Sequence, residues 1–400
     1  MTKAKSPSFV EFVILVSLMF SLIAFGTDSM LPSLPAIAAG LQLSDVNQAQ
    51  LIVTTFVLGT GLGQLFFGPL SDATGRKPAI AAGMLLFIVG CVMCYYVQSI
   101  EGMLAGRFIQ GLGVSAPRTV TIALVRDLYK GREMARVMSF SFGIFVLVPA
   151  VAPMIGQTIM GAYGWRSIFL SFILFASVAL IWMWLRQIES HPAEKRRLLK
   201  GHEFLNALTE VLGSRTVLVY MVLQGLLLGG LFGYLSSAQQ IYVDSFGVGD
   251  RFPLYFALVT LISGLAAFVN GTLVIRLGMR AMCKSALALA VISAGVALTF
   301  QTMAPVEWRL AGFIIWSILA FLFMSLTLGN VNALAMEPMG HIAGLASAVI
   351  GATATLLAVL IAIPIGLAFA GSPIPLISSH LMLYTLAFWL MHFHAPKENP

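Results

Sequence analysis

Apolar residues fall in long, nearly unbroken runs separated by short polar segments, as over 12–25, 79–97 and 314–328. Runs near twenty residues match the roughly 30 Å hydrocarbon core of a bilayer. Inside that core every backbone polar group must be satisfied within its own segment, so the runs are expected to be helices. Twelve spans are predicted, the first six at 10–34, 48–70, 78–97, 101–125, 137–159 and 166–186. The second six are placed at 215–238, 253–275, 281–302, 308–333, 341–368 and 374–391. The first run exceeds twenty residues and lacks a small-residue cleavage site, so it reads as a span and not a signal peptide.

One long hydrophilic stretch, 187–214, interrupts the pattern and contains Glu189, Lys195, Arg196, Arg197, Lys200 and Glu203. It divides the chain into an N-terminal six-helix bundle (1–186), a cytoplasmic linker (187–214) and a C-terminal six-helix bundle (215–400). The linker is expected to be able to lie as a helix on the membrane surface. A weak internal repeat supports the division: Gly68 precedes Gly75 and Arg76, and Gly271 precedes Gly278 with Arg280 close behind. The acidic position of the first copy, Asp72, is Ile275 in the second. Repeated halves with a site between them are the general plan of secondary transporters.

Composition agrees with the pattern. Of 400 residues, 59% are hydrophobic and 10% charged, against roughly 45–50% and 25% in soluble domains. The net charge of +7 does not point to nucleic acid, because the basic residues lie scattered between apolar runs. With the N-terminus inside, the inner segments hold Lys3, Lys5, Arg76, Lys77, Arg126, Lys130, Arg132, Arg136, Arg186, the basic residues of 195–200, Arg215, Arg276, Arg280, Lys284 and Lys397. The outer loops hold only Arg166, Arg251 and Arg309. That asymmetry places both termini in the cytoplasm. Trp165 and Trp308 then fall at the outer interface and Trp182, Trp184 and Trp389 toward the inner one. Cys91, Cys94 and Cys283 lie within or beside apolar spans. The Cys91–Cys94 spacing has no second ligand pair and reads as packing, so neither a metal nor a cofactor is expected.

The segment 68–78, with Gly68, Asp72, Gly75, Arg76 and Lys77, resembles the loop signature of the major facilitator superfamily. Its glycines permit tight turning, and Asp72 with the basic pair can lock neighbouring helix ends. The segment 104–113, with Arg107, Gln110, Gly111 and Gly113, resembles the fourth-helix motif of proton-coupled members. Pro149, Pro153 and Gly156 resemble the fifth-helix motif of antiporters, departing from its usual Gly-Pro pair, and are read as a bend and close-contact surface for switching. Thr27, Asp28, Pro32 and Pro35, together with Met336, Glu337, Pro338, Gly344 and Ser347, resemble the bicyclomycin-resistance (Bcr/CflA) drug exporters. The resemblance implies proton-driven export of small antibiotics or metabolites across a bacterial inner membrane, and does not fix the substrate.

Residue chemistry points the same way. Once loop charges are set aside, Asp28, Arg107 and Arg118 remain well inside the spans, where ionisable groups are expensive and functional by default. At about 1.5 Å per residue, Asp28 and Arg107 both sit roughly 10 Å below the outer surface and can pair, directly or through water. Burial favours a neutral carboxyl and a nearby guanidinium favours a carboxylate, so a change in their separation would change proton affinity. Asp28 is therefore the expected coupling carboxylate, with a permanent structural salt bridge as the alternative. Arg118 is displaced from Arg107 by about 20° around the helix and about 16 Å along it. Two readings stand for it: a substrate or gating contact in a central cavity, or an arginine snorkelling inward or bonding carbonyls freed by Pro117.

Two positive charges and one negative favour neutral or anionic substrates. Phe25, Met30, Tyr234 and Phe256 are candidates for a permissive wall, with Gln224, Asn330 and Asn332 as polar contacts. Arg126 and Asp127 are expected to join Asp72 in a cytoplasmic latch. The expected partners are a small drug or metabolite, protons and the lipid bilayer, with no nucleic acid, and the chain is expected to act as a monomer. Metabolite export or organic-anion transport by the same machinery is the second reading. An enzyme or receptor is disfavoured, since no Ser/His/Asp set or phosphate-binding glycine loop is present and the histidines are mostly loop or end residues, with His380 expected to enter the twelfth span.

Overall fold

The structure, a computed structural model, describes residues 7–196 and 201–395. Lys3, Lys5, Arg197, Lys200 and Lys397, counted above for orientation, lie outside the described residues. All regular structure among the described residues is helical, and the chain packs as two compact units, Met1–Glu203 and Phe204–Pro400.

The first unit contains α1 (Phe9–Asp28), α2 (Leu34–Gly40), α3 (Leu51–Thr74), α4 (Arg76–Tyr96), α5 (Ile100–Leu128), α6 (Gly131–Tyr163) and α7 (Ser167–Arg186). Local chemistry sets several boundaries. Ser8 and Ser99 accept from the amides of Glu11 and Gly102, at 3.3 and 3.2 Å, and so cap α1 and α5. The run expected at 10–34 is longer and broken: α1 stops at Asp28, a tight turn over Leu31–Ser33 carries Pro32, and α2 continues to Gly40. Pro117 lies within a continuous α5, and Pro149 and Pro153 within a continuous α6.

Lipid is as apolar as a leucine side chain, so helices in a bilayer associate through close packing of small residues. The α3–α5 contact follows that rule. A Cβ on Gly111 would overlap the Phe56 carbonyl, and one on Gly59 would overlap the Phe108 carbonyl. The backbones of α3 and α5 therefore meet with no side chain between them.

In the segment from 187 to 214 the second half is helical, as α8 (Gly201–Gly213). Ala207 and Val211 are buried, while Leu205 and Leu212 are exposed. His341 Nε2 lies 2.7 Å from Glu210 Oε1 and ties α8 to the turn Glu337–Ile342. The second unit then contains α9 (Arg215–Gln240), α10 (Phe252–Gly264), α11 (Ala266–Leu277), α12 (Met279–Met303), α13 (Val306–Met336), α14 (Ala343–Leu367) and α15 (Ile374–Trp389). Its interior holds an aromatic cluster in which Tyr234 stacks on Phe313 at 6.2 Å and Trp316 meets the His380 ring edge-on at 5.2 Å.

Ten helical stretches among the described residues are long and apolar enough to cross a membrane. The difference from twelve has two physical sources. The run expected at 253–275 is divided at Leu265 into helices of 13 and 12 residues, each too short to count. Val306–Leu367 counts once although it is 62 residues long, which as one helix would measure ~93 Å.

Candidate functional site

Asp28 is the last residue of α1, and only 5% of it is exposed. No hydrogen bond or ion pair with another described residue reaches its carboxyl group. The adjoining break in α1 is covered by α6: a Cβ on Gly156 would overlap the Ser29 carbonyl. Glycine is needed at 156 for that approach, which places the fifth-helix motif directly on the turn that carries Asp28.

Arg107 is fully buried on α5, and all three guanidinium nitrogens are occupied. Nε donates to the Ile52 carbonyl at 3.2 Å, one terminal nitrogen to the Gly26 carbonyl at 3.1 Å and the other to Gln110 Oε1 at 2.6 Å. The Phe56 ring lies 4.2 Å from its central carbon. Five donors in a rigid fork suit such a cradle of neutral acceptors better than a lysine ammonium would. Arg107 and Asp28 thus make no direct salt bridge. The guanidinium is bonded to the main chain of α1 two residues before the acid.

Arg118 is exposed and has no hydrogen-bond or ion-pair partner among the described residues, including the carbonyls beside Pro117. Phe25 packs on Phe172 and Phe175, with ring centroids 5.5 and 5.1 Å away. Met30 is completely enclosed. Both are closed into the first unit and present no open wall.

In the second unit, Gln224 Nε2 donates to Asn332 Oδ1 at 2.9 Å, and Asn330 Nδ2 donates to Asn270 Oδ1 at 2.8 Å. Phe256 is buried among the aromatics. Tyr234 and Tyr242 are buried with their hydroxyls interacting with one another and, for Tyr234, with Ser317, while Trp316 Nε1 has no partner among the described residues. His380 is buried beside them, with Nδ1 2.9 Å from the Leu376 carbonyl.

The loop signature forms an ionic cluster at one end of the first unit. Arg76, 3% exposed, donates from Nε to Asp127 at 2.8 Å and from one terminal nitrogen to Asp72 at 2.6 Å and to Ser71 at 2.8 Å. Gly75, at φ +104, makes the corner between α3 and α4. Glu189 closes the other side, accepting from the backbone amides of Arg76 and Lys77 at 2.9 and 3.0 Å. It thereby caps the positive end of α4. Ser190 also donates to Asp127, at 3.1 Å. Gly68 has open space around it, and Arg126 makes no ion pair with a described residue. Of the expected latch, Asp72, Gly75, Arg76, Lys77 and Asp127 come together, with Arg76 at the centre.

Sequence reasoning gave no site role to Glu189, Ser190, Asn270, Tyr242 and Trp316, and named Gln110 only as a motif residue. Gln110 carried a usable signal, because a residue three positions after Arg107 shares its helix face. Glu189 carried none, lying 113 positions from Arg76.

Comparison with known proteins places this arrangement. The sequence profile described as Major Facilitator Superfamily matches residues 16–363. An uncharacterized MFS-type transporter, YdgK of Bacillus subtilis, is 32% identical over 343 residues, covering 85% of this chain and 84% of its own. A bicyclomycin resistance protein homolog of Haemophilus influenzae is 31% identical over 283 residues, 70% of this chain and 71% of its own. Among solved structures, a D-xylose-proton symporter superposes with a TM-score of 0.78 at 16% identity, covering 97% of this chain and 98% of that one. With a profile that matches residues 16–363 and a relative 32% identical over 85% of its length, the chain belongs to the Major Facilitator Superfamily and is a transporter, not an enzyme.

Proposed function

We propose that this transporter is a proton-coupled antiporter that exports small, mainly neutral or anionic drugs across a bacterial inner membrane by alternating access. Counting α10 with α11 as one crossing, and α13 and α14 as two, gives twelve crossings with both termini cytoplasmic. The name of the bicyclomycin-resistance relative supports the substrate class. The positive-inside distribution supports the orientation.

The observation that carries the coupling is Asp28, buried, unpaired and at the end of a broken helix. A carboxyl group without a partner in a low-dielectric setting is stable only when neutral. In this conformation Asp28 holds its proton, and Arg107 is compensated by main-chain dipoles. When the turn after α1 shifts, the carboxyl gains water or approaches Arg107, loses its proton and becomes available to the next proton from outside. Gly156, seated on Ser29, couples that shift to α6. Proton binding and drug binding compete, so that drug binding expels the proton, which makes the exchange an antiport. The test measures proton release from detergent-solubilised protein across a panel of drugs, with Asp28→Asn as the control. Drug-induced proton release by the wild type that vanishes in Asp28→Asn is expected. Normal proton-coupled export by that variant would overturn the assignment.

Organic-anion transport is the second reading, favoured by one observation: Arg118 is an exposed cation with no partner among the described residues. Arg118→Gln should then weaken transport of anionic drugs more than neutral ones, measured as the ratio of the two uptake rates in inverted vesicles.

A further inference from the structure

A groove of about 440 Å³ runs between α4 and α7 in the first unit. Ala81 and Leu85 line one wall, and Leu180, Ile181, Trp184 and Leu185 the other, all of them apolar. Leu85 and Leu185 are 55% and 66% exposed, so the groove is open along its length. In a chain that crosses a bilayer, such a surface is wetted by acyl chains.

What distinguishes this groove is its polar end. Lys77 stands one helical turn before Ala81 and so on the same face of α4. Its Nζ donates to the Trp184 carbonyl at 2.9 Å and lies 5.0 Å from the Trp184 ring centroid. The neighbouring acids make their hydrogen bonds elsewhere, although the Glu189 charge also acts on Lys77. Glu189 accepts backbone amides, Asp72 and Asp127 hold Arg76, and Glu11 is held by Arg186 and Trp182. Arg196 lies at the Gly75 corner, within 3.0 Å of the position a Cβ there would take, beside the Glu189 carboxylate at 2.8 Å from the same point. An ammonium has three donors, and the Trp184 carbonyl takes one. The other two meet no hydrogen-bond acceptor among the described residues, and the ammonium stands beside a tryptophan, a residue type enriched among headgroups.

We propose that this groove is a binding site for one anionic phospholipid, with an acyl chain lying between α4 and α7 and its phosphate on the Lys77 ammonium. The proposal rests on the membrane-spanning reading. An annular lipid would occupy the groove without regard to headgroup, whereas this site selects negative charge. One basic residue at the membrane surface corresponds to a preference of about fivefold over a zwitterionic lipid.

Trp184 is the probe. The full chain is reconstituted in phosphatidylethanolamine vesicles containing rising fractions of dibrominated phosphatidylglycerol or dibrominated phosphatidylethanolamine. Tryptophan fluorescence is then compared with that of Trp184→Phe, so that the difference reports Trp184 alone. Half-quenching of that component is expected at about fivefold less brominated phosphatidylglycerol than brominated phosphatidylethanolamine. Lys77→Gln should bring the two curves together, Lys77→Arg should keep them apart, and Ala81→Phe, which fills the groove, should protect Trp184 from both. Coincident curves in the unmodified protein would reduce the groove to ordinary annular contact and overturn the proposal. A preference that survives Lys77→Gln would overturn the assignment of the headgroup. Because the reading is fluorescence and not transport, its failure leaves the antiport proposal untouched.

Discussion

Two corners of this protein have nearly the same backbone and very different surroundings. Gly75 joins α3 to α4 at φ +104, ψ +161, and Gly278 joins α11 to α12 at φ +81, ψ +154. Both angles lie in a region that is essentially reserved for glycine. At the first corner the following arginine is buried and held by Asp72, Asp127 and Ser71. At the second, among the described residues, Arg280 reaches only the Tyr220 hydroxyl, at 3.2 Å, and one of its terminal nitrogens has no partner. The acid position is filled there by Ile275, 85% exposed. The sharp turn therefore needs the glycine and not the charges. The ionic cluster is an addition at the first corner, available to work as a latch without being required by the fold.

Replacing the glycines tests the shared part. Gly75→Ala should cost about 3 kcal/mol, at the top of the range for such backbone strain, because its Cβ would also meet the Glu189 carboxylate at 2.8 Å. Gly278→Ala has open space around it and should cost about 1 kcal/mol, the strain alone. Thermal unfolding in detergent checks both, and equal losses would erase the distinction. Next comes the arginine. Arg76→Ala should cost about 2 kcal/mol, less than a fully buried pair, because Asp72 and Asp127 are 53% and 20% exposed and can rehydrate. Arg280→Ala should stay below about 1 kcal/mol, as for a single marginal hydrogen bond.

Glu189→Gln keeps the shape of the α4 cap and removes its charge, with an expected loss of about 1 kcal/mol that shrinks in high salt. The smallest effect belongs to Ile275→Asp, which restores the missing acid. An exposed new pair should change stability by less than about 0.5 kcal/mol. A large gain there would mean that the second corner was waiting only for its carboxylate.

Much of the helical pattern was legible because membrane helices announce themselves as apolar runs. The exceptions are instructive. Residues 253–275 read as one run, yet the helix divides at Leu265, with nothing in hydropathy to mark it. The α1 break was partly visible in Pro32, although the continuation to Gly40 was not. For the candidate site, scarcity of charge led directly to Asp28, Arg107 and Arg118. It could not supply their partners, since the acceptors that hold Arg107 include main-chain oxygens of Ile52 and Gly26, and a main-chain oxygen has no letter in a sequence. Phe25 and Met30 were chosen by residue type, which does not distinguish a cavity wall from a packed interior.

The same anchoring of Arg107 bears on how this transporter can drift. Side-chain ligands are lost by point mutation, but every residue brings its own carbonyl. Exchanging Ile52 for another apolar residue leaves an oxygen in place, and so does a change at Gly26 that its close neighbour Phe56 can accommodate. The buried cation is therefore insulated from variation at two of its three hydrogen-bonding positions, and the third, Gln110, lies on the same helix as Arg107 itself. Substitutions elsewhere in the membrane can retune which molecules are carried while this charge stays where it is.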